Sequence, residues 1–170
     1  MVSDPAIKVG ISACLLGREV RYDGGHRLDV YLLGKMPPSV VWVPVCPESE
    51  AGLPVPRDVM HLVGSPEAPR IITIESGIDH TELILGWTEK KLEALQMEGL
   101  SGFILKSRSP SCGLREIPVE GPDGRRRTVG RGLFAAALVQ NFPGLPVEDE
   151  EGLRAPNALK DFLDRLSHRE

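Results

Sequence analysis

The sequence predicts an α/β fold: a single domain over residues 1–170 with a mostly parallel sheet flanked by helices, Rossmann-like in plan. Three observations lead there. Short apolar runs rich in β-branched residues alternate with longer stretches at helical spacing. Turn residues punctuate them, 18 Gly and 15 Pro among 170 residues. The length suits one substantial core and is short for two.

The elements follow in chain order. Residues 7–12 (IKVGIS) read as a buried strand. Residues 27–35 (RLDVYLLGK) read as a helix stopped by Pro37-Pro38. Residues 39–46 (SVVWVPVC) form the second strand, and 71–75 (IITIE) a further one. Over 79–98, Leu85, Thr88, Leu92 and Leu95 fall on one helical face; Asp79 or Thr81 caps the start and Gly99 the end. A strand at 101–106 follows, and GPDGRRRTVG reads as a hairpin loop. A small-residue helix spans 132–142. The tail 156–167 is amphipathic, with Leu159, Phe162, Leu163 and Leu166 on one side.

Composition narrows the function. Twenty basic against 24 acidic residues give a net charge of −4, so any nucleic-acid contact would be local. Apolar runs fall short of the roughly 18 residues of a membrane span. The start, MVSDPAIKVGIS, lacks the features of a signal peptide, and the cytoplasm is the expected location. Three cysteines are an odd count for a disulfide framework.

Cys14, Cys46 and Cys112 are far apart and form no CxxC pair. Each nevertheless follows the carboxyl end of a predicted strand, beside turn chemistry. That edge is where open α/β sheets bind ligands. A lone cysteine is ordinarily a small buried hydrophobe. Three at one edge can instead hold a metal and leave one coordination position open, either zinc or an iron–sulfur cluster.

The runs ISACLLGREVRYDGGH, VPVCPESEAGLPVPR and LKSRSPSCG, in this order, resemble a bacterial family of thiouracil desulfidases over about residues 7–150. The resemblance implies a 4Fe-4S cluster held by Cys14, Cys46 and Cys112. It implies removal of the exocyclic sulfur of a small thiolated pyrimidine to give uracil and sulfide, without net redox change. It also singles out Glu48, just after the second cysteine, and Ser109, three residues before the third.

The neighbouring residues suit that chemistry. Iron accepting the sulfur makes the ring carbon more electrophilic, and Glu48 is placed to activate water as general base. Ser109 can donate to the substrate or relay a proton. Ser111 reads as a turn serine, and Glu50 as a solvated acid. Lys106 and Arg108 flank the site, and Arg57 either points into the crevice or sits on the surface. Asp23, in the Gly-rich turn after the first cysteine, either meets a pyrimidine N–H or caps its own turn. Arg125, Arg126 and Arg127 read as solvated loop charges, and His61, His80 and His168 as non-ligands. Two alternatives remain: a desulfidase of thiouridine in tRNA, and a non-catalytic iron–sulfur or zinc sensor. A protein that accepts the sulfide is a further expected partner.

Overall fold

A computed structural model describes residues 6–168, apart from the side chain of Val129. The N-terminal residues 1–5, read above for targeting, lie outside the described residues. In chain order the elements are β1 (Ile7–Ser12), α1 (Val30–Lys35), β2 (Val40–Val45), α2 (Pro47–Glu50), β3 (Met60–Ser65), β4 (Ala68–Thr73), α3 (Thr81–Glu98), β5 (Gly102–Leu105), β6 (Ile117–Glu120), β7 (Arg126–Gly130), α4 (Leu133–Asn141), β8 (Val147–Asp149) and α5 (Ala158–Ser167).

Four of the strands, in the order β2-β1-β5-β8, form a wholly parallel sheet. Parallel strands need both faces covered, which is why these runs are apolar without alternation. Phe103 and Leu105 pack on one face against Leu92 and Leu95 of α3 and Phe134 and Leu138 of α4. Val9, Ile11 and Ile104 pack on the other against Leu32 of α1 and Phe162 and Leu166 of α5. Each such fully buried chain contributes about 1.5–3 kcal/mol.

The sequence reading had no counterpart for the second sheet as a unit. Its order is β4-β3-β6-β7, with antiparallel hairpins β3–β4 and β6–β7 joined through a parallel β3–β6 pair. Met60, Leu62, Ile71, Ile117 and Val119 close it over Ile84 of α3 and Leu133 of α4. The expected strand at 71–75 belongs to this sheet, as β4.

Four local expectations shift. The helix expected from residue 27 begins at Val30, because the buried Asp29 carboxylate accepts the Leu32 N–H at 2.9 Å and ends the preceding loop. In α3 the buried stripe runs Thr81, Ile84, Thr88, Leu92 and Leu95, while Leu85 faces out, one helical step off the stripe. His80 occupies the cap position of α3; Asp79 holds the Thr81 N–H, and the left-handed Gly99 ends the helix. Arg126 and Arg127 lie on β7 and only Arg125 in the turn before it, since Arg126 and Arg127 pair with Glu120 and Val119.

Candidate active site

The carboxyl edge of the parallel sheet builds the site. Cys14 sits in a 3-10 turn that follows β1 directly. Cys46 follows β2 and opens α2. Cys112 lies in the long loop after β5. All three are free thiols, Cys14 and Cys112 buried and Cys46 partly so, and all three border one cavity of about 450 Å³. The convergence expected from strand order is therefore present. No group of three or more His, Cys, Asp or Glu side chains among the described residues closes tightly enough to hold one metal ion. The thiols border a space, not a point.

The loop bearing Cys112 is held by the start of α4. The Ser111 carbonyl accepts the Phe134 N–H at 3.0 Å and the Ala135 N–H at 3.2 Å, and the Pro110 carbonyl accepts the Leu133 N–H at 3.2 Å. Free amides at a helix start are natural partners for such carbonyls. The approach requires glycine at position 132, where a Cβ would lie 2.5 Å from the Ser111 carbonyl group. Gly113 is equally confined, with an added Cβ 2.1 Å from the Ile117 side chain.

Burial pushes the Cys14 thiol up from its ordinary range, against the pull of Arg21 and Lys106. Burial raises Cys112 further, the Ser12 hydroxyl partly opposing it and the charges of Cys46, Cys14 and Glu48 adding to it. Burial thus disfavours the ionised form of both thiols.

Glu48 borders the same cavity from α2. Its Oε2 accepts the Arg57 Nε at 2.8 Å, with Nη2 at 2.6 Å. Its Oε1 accepts the Ser111 hydroxyl at 2.9 Å. Arg57 thus points into the crevice. It also reaches the Val20 carbonyl at 2.8 Å and, in its own loop, the Pro54 carbonyl at 3.2 Å, tying two loops to one carboxylate. Ser109 borders the cavity too, and its Oγ accepts the Cys112 N–H at 3.0 Å.

Other candidates resolve differently. Glu50 is a tie: it accepts the Cys46 N–H at 2.6 Å and pairs with Lys91 of α3 at 2.8 Å. Asp23 accepts the Gly25 N–H within its own exposed turn, whose φ at Gly24 is +79°, and is no part of the cavity wall. Arg108 flanks the cavity as expected, but is exposed and pairs with Glu151. Lys106 faces the cavity and is pinned by buried Glu150, with Ser107 accepting at 3.0 Å. His61, His80 and His168 join no metal-holding group among the described residues.

Several polar members escaped the sequence reading. Ser111 was read only as a turn residue, and Arg21 and Arg27 were passed over. Arg21 borders the cavity, its buried Nε meets no hydrogen-bond partner among the described residues, and its guanidinium lies 5.5 Å from the Tyr22 ring centre.

The model of the 2-thiouracil desulfurase family matches residues 9–150. A curated relative, the uncharacterized protein YbbK of Bacillus subtilis (strain 168), is 33% identical over a match covering 76% of this chain and 88% of its own length. A solved structure of a 4Fe-4S-dependent thiouracil desulfidase, TudS, is 31% identical with a TM-score of 0.65, covering 86% of this chain and 93% of its own.

Proposed function

Because this chain belongs to the 2-thiouracil desulfurase family, we propose that it removes the exocyclic sulfur of thiouracil or a close thiolated pyrimidine, giving uracil and sulfide with no net redox change. It is an enzyme of the thiouracil desulfidase family. One observation supports the finer reading most: three free thiols and a doubly held carboxylate border a single cavity. The donor set fits a 4Fe-4S cluster held by Cys14, Cys46 and Cys112, sulfur donors spread around a space and no histidine among them. Bound there, the cluster would supply an iron without a cysteine, an electrophile for the substrate's sulfur.

The chain's own residues do the rest. Glu48, one oxygen held by Arg57 and the other by Ser111, borders the cavity with one lone-pair site of Oε1 still unused and takes a proton from the attacking water. Ser109, at the cavity wall, aligns the loop of Cys112 and joins the hydroxyl chain that leads to Glu48. Lys106 places a fixed cation beside Cys14, where negative charge gathers as hydrosulfide departs. The parallel sheet, the second sheet and the helices around them are proposed to form one domain.

A second reading keeps the reaction and enlarges the substrate. Arg21 and Arg27 border the cavity with no carboxylate at ion-pair distance among the described residues, although the chain is acidic overall. Unpaired guanidinium groups favour an anionic ligand such as a thiolated pyrimidine nucleotide.

The test is anaerobic purification, iron and acid-labile sulfide analysis, and turnover of thiouracil. Cys14→Ala, Cys46→Ala and Cys112→Ala should each lose the visible cluster absorption, and Glu48→Gln should keep it while losing turnover. Full cluster content in two of the cysteine variants defeats the three-thiol site. A sustained need for external reductant during turnover, once the cluster is loaded, defeats the non-redox reaction.

A further inference from the structure

Ser111 sits at a crossing of three groups that matter to the proposed reaction. Its hydroxyl lies 2.9 Å from Glu48 Oε1, 3.2 Å from Ser109 Oγ and 4.0 Å from Cys112 Sγ. The side chain is 2% exposed, so water does not compete for these contacts.

The direction of the hydrogen bonds follows from the chemistry of the partners. An ionised carboxylate only accepts, so the Ser111 proton goes to Glu48. The same proton cannot serve the sulfur, and 2.9 Å to oxygen outweighs 4.0 Å to a weak acceptor. Ser109 Oγ accepts two backbone amides, Cys112 N–H at 3.0 Å and Ser111 N–H at 3.3 Å. Its own proton is then free to point at Ser111 Oγ. The chain runs one way, from Ser109 through Ser111 to Glu48.

We infer that Ser111 is a positioning residue of the reaction: it sets the plane of the Glu48 carboxylate and locks it to the loop that carries Ser109 and Cys112. The inference rests on Glu48 acting as the base. Arg57 alone cannot do this, because both of its contacts fall on Oε2 and leave the carboxylate a hinge. A second hold on Oε1, from a different segment of chain, removes that freedom. The segment is rigid in its turn, since the Ser111 carbonyl is fastened to two amides at the start of α4. Glu48 and Ser109 therefore keep one mutual geometry whether or not substrate is present, as a preorganised site requires.

The experiment compares Ser111→Ala, Ser111→Thr and Glu48→Gln, each reconstituted anaerobically, with iron content, thermal melting of the cluster-free protein, kcat and KM for thiouracil. Ser111→Ala should keep its iron and lower kcat about 100-fold, the usual effect of a misplaced reacting group, with KM within about twofold. Ser111→Thr, which keeps the hydroxyl, should recover most of that loss. Independently of turnover, melting of the cluster-free proteins should show coupling: Ser111→Ala should lower the midpoint less in a Glu48→Gln background than in the wild type. Ser111→Ala with unchanged kcat overturns the inference while Glu48→Gln still reports on the base. Loss of iron in Ser111→Ala, unrelieved in Ser111→Thr, overturns it too by reducing Ser111 to a support for the Cys112 loop. An active Glu48→Gln defeats the base reading itself, and the inference falls with it.

Discussion

Replacing Arg57 by Met removes the one cation that touches Glu48 among the described residues. The two side chains are only 6% and 12% exposed, so their pairing is part-buried and largely shielded from water. Breaking such a pair from one side leaves an uncompensated buried charge and costs about 3–5 kcal/mol. For a chain of this length that corresponds to a fall in melting midpoint of roughly 10 °C. The apolar double variant, Arg57→Met with Glu48→Leu, removes both charges and should return most of the loss, because the desolvation penalty disappears along with the attraction. The exposed Arg70–Asp79 pair is the internal control, 3.3 Å apart with side chains 59% and 42% exposed. Arg70→Met should cost less than about 1 kcal/mol. Urea unfolding of the cluster-free protein under reducing, anaerobic conditions measures all three. If Arg57→Met lies within about 0.5 kcal/mol of wild type, the pair behaves like a surface ion pair and the clamp on Glu48 is wrong.

Gly132→Ala forces the Ser111 backbone away from α4 and should cost about 1–3 kcal/mol with reduced iron loading, whereas Gly144→Ala, with open space at its Cβ, should be silent in both measurements. Burial raises the Asp149 carboxyl above its ordinary 3.8, with Arg115 and the Gly152 N–H opposing that rise. A raised folded-state value means that the folded protein binds the proton more readily, so this group's contribution grows as pH falls through the raised value and is complete below 3.8. Wild type should gain stability relative to Asp149→Asn across that window, measured by urea unfolding from pH 7 downward; a constant difference would refute it. Arg21→Gln and Arg27→Gln should each raise KM for thiouridine monophosphate several-fold and more at low salt than at high, while leaving KM for free thiouracil nearly unchanged; equal effects on both substrates would remove the anionic-substrate reading.

What the sequence made legible was whatever burial and strand order encode. The apolar runs at 7–12, 39–46 and 101–106 became β1, β2 and β5, and placing a cysteine after each was enough to bring the three together. The second sheet was harder. Its strand β3 (MHLVGS) carries two buried apolar side chains in six residues and ends in glycine and serine, too weak a pattern to stand out. Leu85 was misassigned because Ile84 and Leu85 are both apolar, and periodicity cannot choose between adjacent candidates without knowing which face meets β4.

The polar part of the site was legible only where a motif marked it, and the reason is physical. A hydrophobic side chain is specified by the fact of burial, which repeats along an element and leaves a period in the sequence. A buried polar side chain is specified by one partner at one distance, and that partner sits wherever the fold returns it. Arg57 stands nine positions from Glu48 in the chain, and Ser111 stands 63 positions away, yet both meet the same carboxylate. Neither spacing repeats anything. Glu150 pins Lys106 from 44 positions away on the same terms, with no local pattern to announce it. Carboxylates, guanidinium groups and hydroxyls scattered through loops at a sheet's carboxyl edge thus carry information that becomes visible only as pairs. A search of such edges for buried Arg–Glu–Ser triples would locate the Glu48 cluster directly, without reference to any cysteine.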